Sequence, residues 1–344
     1  MFDSENGDFD IQKSHINDLG EYVITAGLSN NGVLGKTNID AKIIDGNTIT
    51  IDMFGNSFYR KFKYKMVTHA RVFSLIPKFN MSEKQGLYIV NSFKYLMFGF
   101  GYENMCSWAK IQNNKIQLPI KDGKIDFDFM DAYISELEEE RISELTAYLT
   151  VSGLDNYELS SEEKKALENL KLVQWEEYNL EKLFGKSTRG KRLKSDDRIN
   201  GSLPFVTAGE ANTGISDFIG NKVEVFSKNT ITIDMFGSAK YRNYNYGGDD
   251  HIAVVHTEKI KSESAIFVTS AAHKSSYNGQ FNYGRNFYAK DADTLNIMLP
   301  TKNNEIDFTY MELLISAVKK LVIKDVVLYA DSKINATKKV ISKN

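Results

Sequence analysis

Asn47-Thr48-Ile49-Thr50-Ile51-Asp52-Met53-Phe54-Gly55 recurs letter for letter as Asn229-Thr230-Ile231-Thr232-Ile233-Asp234-Met235-Phe236-Gly237, 182 residues later. Nine identities in nine do not arise by chance, and so long a period is no solenoid, whose units run about 20–50 residues. The same spacing aligns Thr25-Ala26-Gly27 with Thr207-Ala208-Gly209, Asn31-Gly32 with Thr213-Gly214, Tyr59-Arg60 with Tyr241-Arg242, and His69 with His251. At a spacing of 181, Leu118-Pro119 meets Leu299-Pro300, Ile125-Asp126-Phe127 meets Ile306-Asp307-Phe308, Met130 meets Met311, and Tyr148 meets Tyr329. The chain is therefore a duplicated domain. Residues 77–117 share little with 259–298, so one scaffold carries two different variable segments.

Both copies follow the same internal order, which predicts an α+β fold. A β-rich body comes first, marked by the alternation Thr48-Ile49-Thr50-Ile51 and by turns at Asn31-Gly32, Asp45-Gly46 and Gly247-Gly248. A long helix follows, capped by Asp126 or Asp128, with near-heptad apolar positions at Met130, Ile134, Leu137, Leu145 and Tyr148 interrupted by Arg141. Its twin carries Met311, Ile315, Val318, Val322 and Tyr329. Gly153 closes the first helix, and Ser160-Ser161-Glu162-Glu163 opens a short amphipathic helix that runs to about Val173. The expected boundaries are a first body at 1–125, a helical spacer and connector at 126–173, a second body at 174–306, and a helical spacer with tail at 307–344. The copies differ at their start: Trp175–Leu183 precedes Phe184, whereas Phe2 already matches Phe184. The first body thus lacks an opening segment, which leaves open a short chain, a truncated one, or completion by the C-terminal tail.

Composition narrows the class. With 344 residues and 42% hydrophobic content, two domains with real cores are expected, and a disordered chain is excluded. Cys106 is the single cysteine, so no disulfide framework exists, and the five histidines are too scattered for a zinc signature. The acidic start MFDSENGDFDIQ does not resemble a secretory signal, and no apolar run approaches a membrane span, so a cytoplasmic protein without membrane association is expected.

Catalytic templates fail in turn. The four prolines stand apart at Pro77, Pro119, Pro204 and Pro300, so the Pro-Pro loop of DNA amino-methyltransferases is absent. A phosphate-binding loop needs Gly ahead of Gly-Lys-Ser/Thr, yet Asn30 precedes Gly35-Lys36-Thr37 and Leu180 precedes Gly185-Lys186-Ser187 at that position. Phe98-Gly99-Phe100-Gly101-Tyr102 reads as a turn beside a core strand, and Glu162–Lys165 as a solvated helix start rather than a nuclease centre. His69 and His251 have no adjacent nucleophile and are expected to hydrogen-bond a strand edge, and Cys106 has no cation close enough to activate it. No catalytic or metal-ligating set is expected in this chain.

Local charge is more informative than the formal total of −2. Arg60, Lys61, Lys63, Lys65, Arg71, Lys78 and Lys84 stand against Glu83 alone, interleaved with aromatics. Strand alternation would put Lys61, Lys63 and Lys65 in one row suited to phosphates. Lys182, Lys186, Arg189, Lys191, Arg192, Lys194 and Arg198 crowd the start of the second body, while the first helix holds the compensating acids, Asp126 to Glu144. Basic bodies joined to an acidic stalk point to nucleic acid. A duplicated protein-binding scaffold with solvated basic surfaces is the alternative left open.

The duplicated order of Thr-Ala-Gly, Asn-Asn-Gly-Val, Asn-Thr-Ile-Thr-Ile-Asp-Met-Phe-Gly, Leu-Pro and Ile-Asp-Phe leading into a heptad helix resembles the DNA-specificity (S) subunits of restriction-modification systems, type I or BcgI-like. The resemblance spans the whole chain. It implies two target-recognition domains, each reading half of a bipartite asymmetric DNA site, separated by long helices in an antiparallel coiled coil with pseudo-twofold symmetry. It also implies double-stranded DNA and methyltransferase subunits as partners, with a restriction subunit where cleavage accompanies modification. S-adenosylmethionine and magnesium would then belong to the partners, and this chain would be no enzyme. A helix from Phe127 to Leu149 would be about 35 Å long, or about ten base pairs. On this reading the DNA-facing candidates of the first domain are Asn30, Asn31, Arg60, Lys61, Lys63, Lys65, Asn104 and Trp108. Those of the second are Lys186, Arg189, Lys191, Arg192, Arg242, Asn243, His273, Lys274, Ser275, Ser276 and Arg285. Tyr59, Tyr241, Arg60 and Arg242, being shared, are better suited to backbone contact or support than to base readout. Partner-binding positions are Met130, Ile134, Leu137, Leu145, Met311, Ile315 and Val318.

Overall fold

The computed structural model describes the backbone of residues 1–341 and the side chains of residues 1–336, so the end of the expected C-terminal tail lies outside the described residues. It divides into two compact units, Met1–Leu145 and Thr146–Asn344. The first carries β1 (Phe2–Asn6), β2 (Glu21–Ile24), β3 (Val33–Thr37), β4 (Thr48–Ile51), β5 (Ser57–Arg60), β6 (Tyr64–Met66), β7 (Phe73–Pro77), α1 (Glu83–Asn91), α2 (Trp108–Ile111), β8 (Ile120–Lys121) and β9 (Lys124–Ile125). The helix α3 (Phe127–Val151) follows and contains the boundary between the units. The second carries α4 (Ser161–Glu168), β10 (Gln174–Asn179), α5 (Leu180–Phe184), β11 (Thr188–Arg189), β12 (Asn200–Val206), β13 (Ile215–Ile219), β14 (Val225–Phe226), β15 (Thr230–Asp234), β16 (Ala239–Arg242), β17 (Tyr246–Gly248) and β18 (Ile252–Val255). It ends with α6 (Ser262–Ser276), α7 (Ala289–Asp293), β19 (Asn296–Lys302), β20 (Glu305–Ile306) and α8 (Phe308–Ile341).

The duplication extends to sheet topology. An antiparallel sheet β1-β7-β4-β5 in the first unit has its twin in β11-β18-β15-β16. A second sheet, β3-β2-β6, with β2 and β6 parallel, is matched by β13-β12-β17-β14, where β12 and β17 are parallel. The counterpart of β14 in the first unit is the single bridge Ile44↔Tyr64. The third pairing differs, β8-β9 alone against β10-β19-β20.

The repeated nine residues lie where the two main sheets meet. Ile49 and Ile51 are fully buried with Phe73, Leu75, Ile89 and Met130. Thr48 and Thr50 are also buried, on the opposite face of the strand. There the Thr48 hydroxyl lies 2.8 Å from the Tyr64 hydroxyl, which in turn lies 2.6 Å from Ser74 Oγ. Burial pushes the Tyr64 phenol up, against the pull of these hydrogen bonds, so the group stays a neutral link between sheets. Thr230 and Tyr246 repeat the contact at 2.9 Å.

Helix starts follow local chemistry. Asp126, rather than Asp128, caps α3: its Oδ1 accepts from the Phe129 N–H at 2.9 Å, and Asp307 does the same for Tyr310 at 2.8 Å. At the other end of α3 Gly153 adopts a left-handed φ of 66°, and the Leu154 N–H donates to Leu149 O at 2.8 Å. The Ser160/Glu163 capping box opens α4 as expected. Glu163 is more than a solvated charge, however. It is buried, and accepts from Ser316 Oγ at 2.6 Å and Lys320 Nζ at 2.9 Å, pinning α4 to α8. Burial alone would raise its carboxyl, but the hydrogen bonds from Ser316, the Ser160 N–H and Lys320 outweigh burial and hold it below the ordinary 4.5.

Two outcomes are expected. A carboxyl with a lowered folded pKa adds stability that is present above pH 4.5 and is lost as pH falls through the folded value. Glu163→Gln should therefore flatten the acid limb of the second unit's stability, measured by denaturation between pH 5 and about 3; an unchanged limb would remove the pin. Glu163→Ala should cost about 2 kcal/mol at pH 7 in the same measurement, the scale of hydrogen bonds lost to a charged group.

Candidate nucleic-acid interface

In each unit a buried carboxylate holds a surface loop. Asp52 Oδ1 accepts from the Phe54 and Asn56 N–H groups, both at 2.9 Å, closing the turn after β4. Its Oδ2 reaches the other sheet and accepts from the Gly27 N–H at 2.8 Å and from Asn56 Nδ2 at 2.8 Å. Asp234 repeats this with Phe236 and Ser238, both at 3.0 Å, and Gly209 at 3.2 Å. Lys240 Nζ, 3.4 Å from Asp234 Oδ2, takes the place of the asparagine amide.

The same loop is held from below by an arginine. Arg60 is 2% exposed, donating from Nε to Thr50 Oγ1 at 2.9 Å and from a terminal nitrogen to Asn31 O at 2.7 Å. Arg242, 1% exposed, bonds Thr232 Oγ1 and Thr213 O, both at 2.9 Å. Burial brings the Arg60 guanidinium down to about 10, still charged at neutral pH. The Thr25 and Thr207 N–H groups close the loops on Gly32 and Gly214 O at 2.8 Å.

These restraints support an unusual backbone. Asn30 and Asn31 are consecutive left-handed residues at φ 47° and 52°, and Asn212 and Thr213 match them at 49° and 53°. Asparagine tolerates this region, but a β-branched threonine there is strained by about 1–3 kcal/mol. The backbone frame is shared, whereas three of the four exposed tip residues differ: Leu28-Ser29-Asn30-Asn31 against Glu210-Ala211-Asn212-Thr213. Spacing alone could have found Asn212, since it pairs with Asn30.

A second variable element meets the same turn. The N–H of Cys106 donates to Met53 O at 2.8 Å, and that of Phe287 to Met235 O at 2.9 Å. The loop ahead of each carries an exposed tyrosine edge-on to the turn phenylalanine, Tyr102 on Phe54 at 5.1 Å and Tyr283 on Phe236 at 5.2 Å. The 181 spacing pairs the two tyrosines, a signal hidden in a stretch that otherwise shares little. Beside Tyr102 opens a cavity of about 650 Å³ lined by Arg71, Trp108 and Lys110 among others. Cys106 forms part of its floor, its thiol pushed up to about 11 by burial and then by Asp52.

Several expected DNA-facing residues are elsewhere. Arg60 and Arg242 are frame, as above. The row Lys61, Lys63, Lys65 does not exist: β5 ends at Arg60, the chain crosses to the other sheet, and Lys65 is buried, with Nζ donating to Ile39 O. Lys61 and Lys63 are exposed beside Glu83 at 3.7 Å and Asp45 at 3.2 Å. Ser276 is buried, bonding Gly237 O at 2.6 Å. His273 accepts from the Ala239 N–H at 3.2 Å, and Lys274 and Ser275 line a separate cavity with Trp175 and Phe267. Arg285 is paired with Asp291 at 2.5 Å, and Asn104 accepts from Lys110 at 2.7 Å. Asn243 is exposed. Lys186, Arg189, Lys191 and Arg192 are exposed and form no ion pair among the described residues. The Lys191 N–H donates to Gly248 O at 3.0 Å, and Gly248 pairs with Val206 at the foot of the Thr207–Gly209 loop. The first unit makes the equivalent close approach at Gly7, but follows it with Asp8, so this basic strip belongs to the second unit alone.

The helix positions divide similarly. Met130 and Met311 are fully buried in the cores of their own units, and Ile134 is buried too, because the first turns of α3 and α8 cover β-sheet core. They offer no partner surface. Leu137 and Val318 are exposed, and Leu145 and Ile315 half-buried. His69 and His251 meet carboxylates rather than strand edges: His69 Nδ1 contacts Asp10, and His251 Nδ1 lies 3.1 Å from Asp250. No helix among the described residues is long and apolar enough to cross a membrane.

The specificity subunit S.BcgI of a type II restriction enzyme from Heyndrickxia coagulans is 23% identical over 309 residues, covering 88% of this chain and 87% of its own. The crystal structure of a type I restriction-modification S subunit from M. genitalium has the same fold, with a TM-score of 0.52 at 16% identity, over 99% of this chain and 92% of that one. The family described as the type I restriction modification DNA specificity domain matches residues 1–147 and again 173–327. The chain belongs to that family, with one specificity domain in each half.

Proposed function

We propose that each unit reads one half of a bipartite, asymmetric duplex site, and that the chain brings catalytic partner subunits to that site. The observation that carries this reading is the duplicated frame with unlike tips. Asp52 with Arg60, and Asp234 with Arg242, fix the backbone of a loop whose exposed side chains differ between units. Base-edge readout needs such a division, because hydrogen-bonding groups must be held in place while their identity varies. Asn31 offers an amide suited to a purine edge in one unit, and Glu210 and Thr213 offer a different set in the other, while Asn30 and Asn212 each turn an amide back on their own loop, to Val33 O at 3.2 Å and Ile215 O at 3.4 Å. Tyr102 and Tyr283 add apolar and hydroxyl contacts beside them. Lys186, Arg189, Lys191 and Arg192 supply phosphate contacts, which set register without reading sequence.

On this reading α3 and α8 form the antiparallel coiled coil that spaces the two readers. Their exposed apolar residues, Leu137, Val318 and Val322 among them, face methyltransferase subunits. S-adenosylmethionine and magnesium act on those partners, as does any nuclease. The protein acts in the cytoplasm, where chromosomal and incoming DNA are both met. The S.BcgI relative, a specificity subunit of a restriction enzyme, supports assembly with such partners.

Selection from a random duplex library by the chain with its methyltransferase should yield two separated half-sites. Asn31→Gly with Tyr102→Ala should relax the first half-site alone, weakening binding about 10–100-fold, and loss at both half-sites would contradict the division. Lys191→Ala with Arg192→Ala should leave the selected sequence intact and reduce the slope of log K against log salt by about 2. Asn31→Gly should keep thermal stability within about 1 kcal/mol, because glycine accepts the left-handed backbone, while changing base preference.

A further inference from the structure

The second unit carries its basic strip, Lys191 and Arg192, directly after Gly190. After the equivalent Gly7 the first unit has Asp8, and then Asp10, whose carboxylate contacts the His69 ring. The turn that adjoins this segment has the opposite signs. It enters at Val67 in one unit and Asp249 in the other, whose N–H groups donate to Ile24 O and Val206 O, both at 2.9 Å. It leaves at Phe73 and Ala253, which pair with the equivalent Ile51 and Ile233. In the second unit this short turn holds Asp249, Asp250 and His251, while in the first it is two residues longer and holds Arg71.

Arg71 is exposed but not loose. Its backbone is left-handed at φ 50°, a conformation that long side chains rarely adopt. Its Nη1 donates to Met105 Sδ at 2.8 Å, so the side chain reaches across to the variable loop. Lys110 meets the same residue, with Nζ 2.8 Å from Met105 O and 2.7 Å from Asn104 Oδ1. At the 181 spacing the second unit has Arg285 and Asp291 in place of Asn104 and Lys110, and there the two neutralise one another. Arg71 and Lys110 line the cavity of about 650 Å³ beside Tyr102, and neither forms an ion pair among the described residues. Glu103 is the one carboxylate among the lining residues, and it is exposed.

We propose that Arg71 and Lys110 are the first unit's clamp for a backbone phosphodiester, supplied from the turn and the variable loop where the second unit supplies Lys191 and Arg192 from the strand. The inference rests on the DNA-reading function proposed above and names the residues that hold the first half-site. A thioether is a weak acceptor, and a carbonyl or amide oxygen is a neutral one, so a phosphate oxygen replaces them with a stronger, charge-assisted bond. Cys106, on the cavity floor, is bonded to Met53 of the turn whose Phe54 carries Tyr102, so the two cations flank the reading tip and do not form part of it. Such a place suits contacts that fix register and leaves base edges to the tip.

Arg71→Gly with Lys110→Gln removes both charges, and glycine accepts the left-handed backbone, so the melting midpoint should hold. The chain with its methyltransferase is assayed on duplexes in which single phosphates of the selected site are replaced by uncharged methylphosphonates. For the unsubstituted chain, replacement of one or two adjacent phosphates at the first half-site should weaken binding about tenfold. The variant should bind the natural duplex about tenfold more weakly, ignore those replacements, and select an unchanged sequence. Arg71→Lys alone, which keeps the charge, should respond as the unsubstituted chain does. Equal losses in both chains, or an altered first half-site, would overturn the clamp while leaving the DNA-reading function standing. Loss of methyltransferase assembly at unchanged duplex affinity would overturn it in favour of an acidic protein surface. Binding of inorganic phosphate that duplex cannot displace would do so in favour of a free anion. Were no bipartite site selected by the unsubstituted chain, the DNA-reading function itself would fall, and the clamp with it.

Discussion

A carboxylate buried between two sheets is the constraint on which each unit depends. Removed from water, Asp52 and Asp234 must be met by donors. The donors are N–H groups of the turn that follows the strand and of a loop rooted in the other sheet. Satisfying the charge thus fixes the angle between the sheets and the course of the Thr-Ala-Gly loop together. Few substitutions leave such an arrangement intact, which accounts for the letter-for-letter repeat of nine residues. The arginines complete it from the other side by holding the carbonyl of a left-handed residue, Asn31 or Thr213, whose conformation would otherwise relax.

Freedom to vary lies in the parts the carboxylate does not touch. Tip residues 28–31 and 210–213 point outward, and the tyrosine loops meet the turn through one backbone hydrogen bond and one ring contact. Their side chains can change without disturbing the frame. The basic strip after Gly190 shows that the copies differ in charge as well as in the reading loops.

Much of the fold was legible because repeats, caps and turn residues act locally. The duplication, a start of α3 at Asp126 or Asp128, the Gly153 stop and the Ser160/Glu163 box all followed from neighbouring residues. What failed required knowing which sheet a strand joins. Arg60 through Lys65 reads as one alternating strand, yet the chain leaves one sheet at Arg60 and enters another at Tyr64, so the side chain of Lys65 turns inward. Heptad spacing marked Met130 and Met311 as partner contacts, but spacing cannot tell that the first helical turn is occupied by the body of its own unit. Net charge misled for a related reason: a total of −2 sums a basic opening segment and an acidic helix that do different things.

The central claim is that specificity resides in the framed tips and their tyrosine loops, and that the frame carries none. Its most direct measurement is an exchange in which residues 28–31 and 97–105 of the first unit are replaced by 210–213 and 278–286 of the second. The recognition sequence of the resulting complex is then read by selection from random duplexes. The account predicts two half-sites of the kind read by the second unit, at the original spacing. Retention of the original first half-site would contradict it.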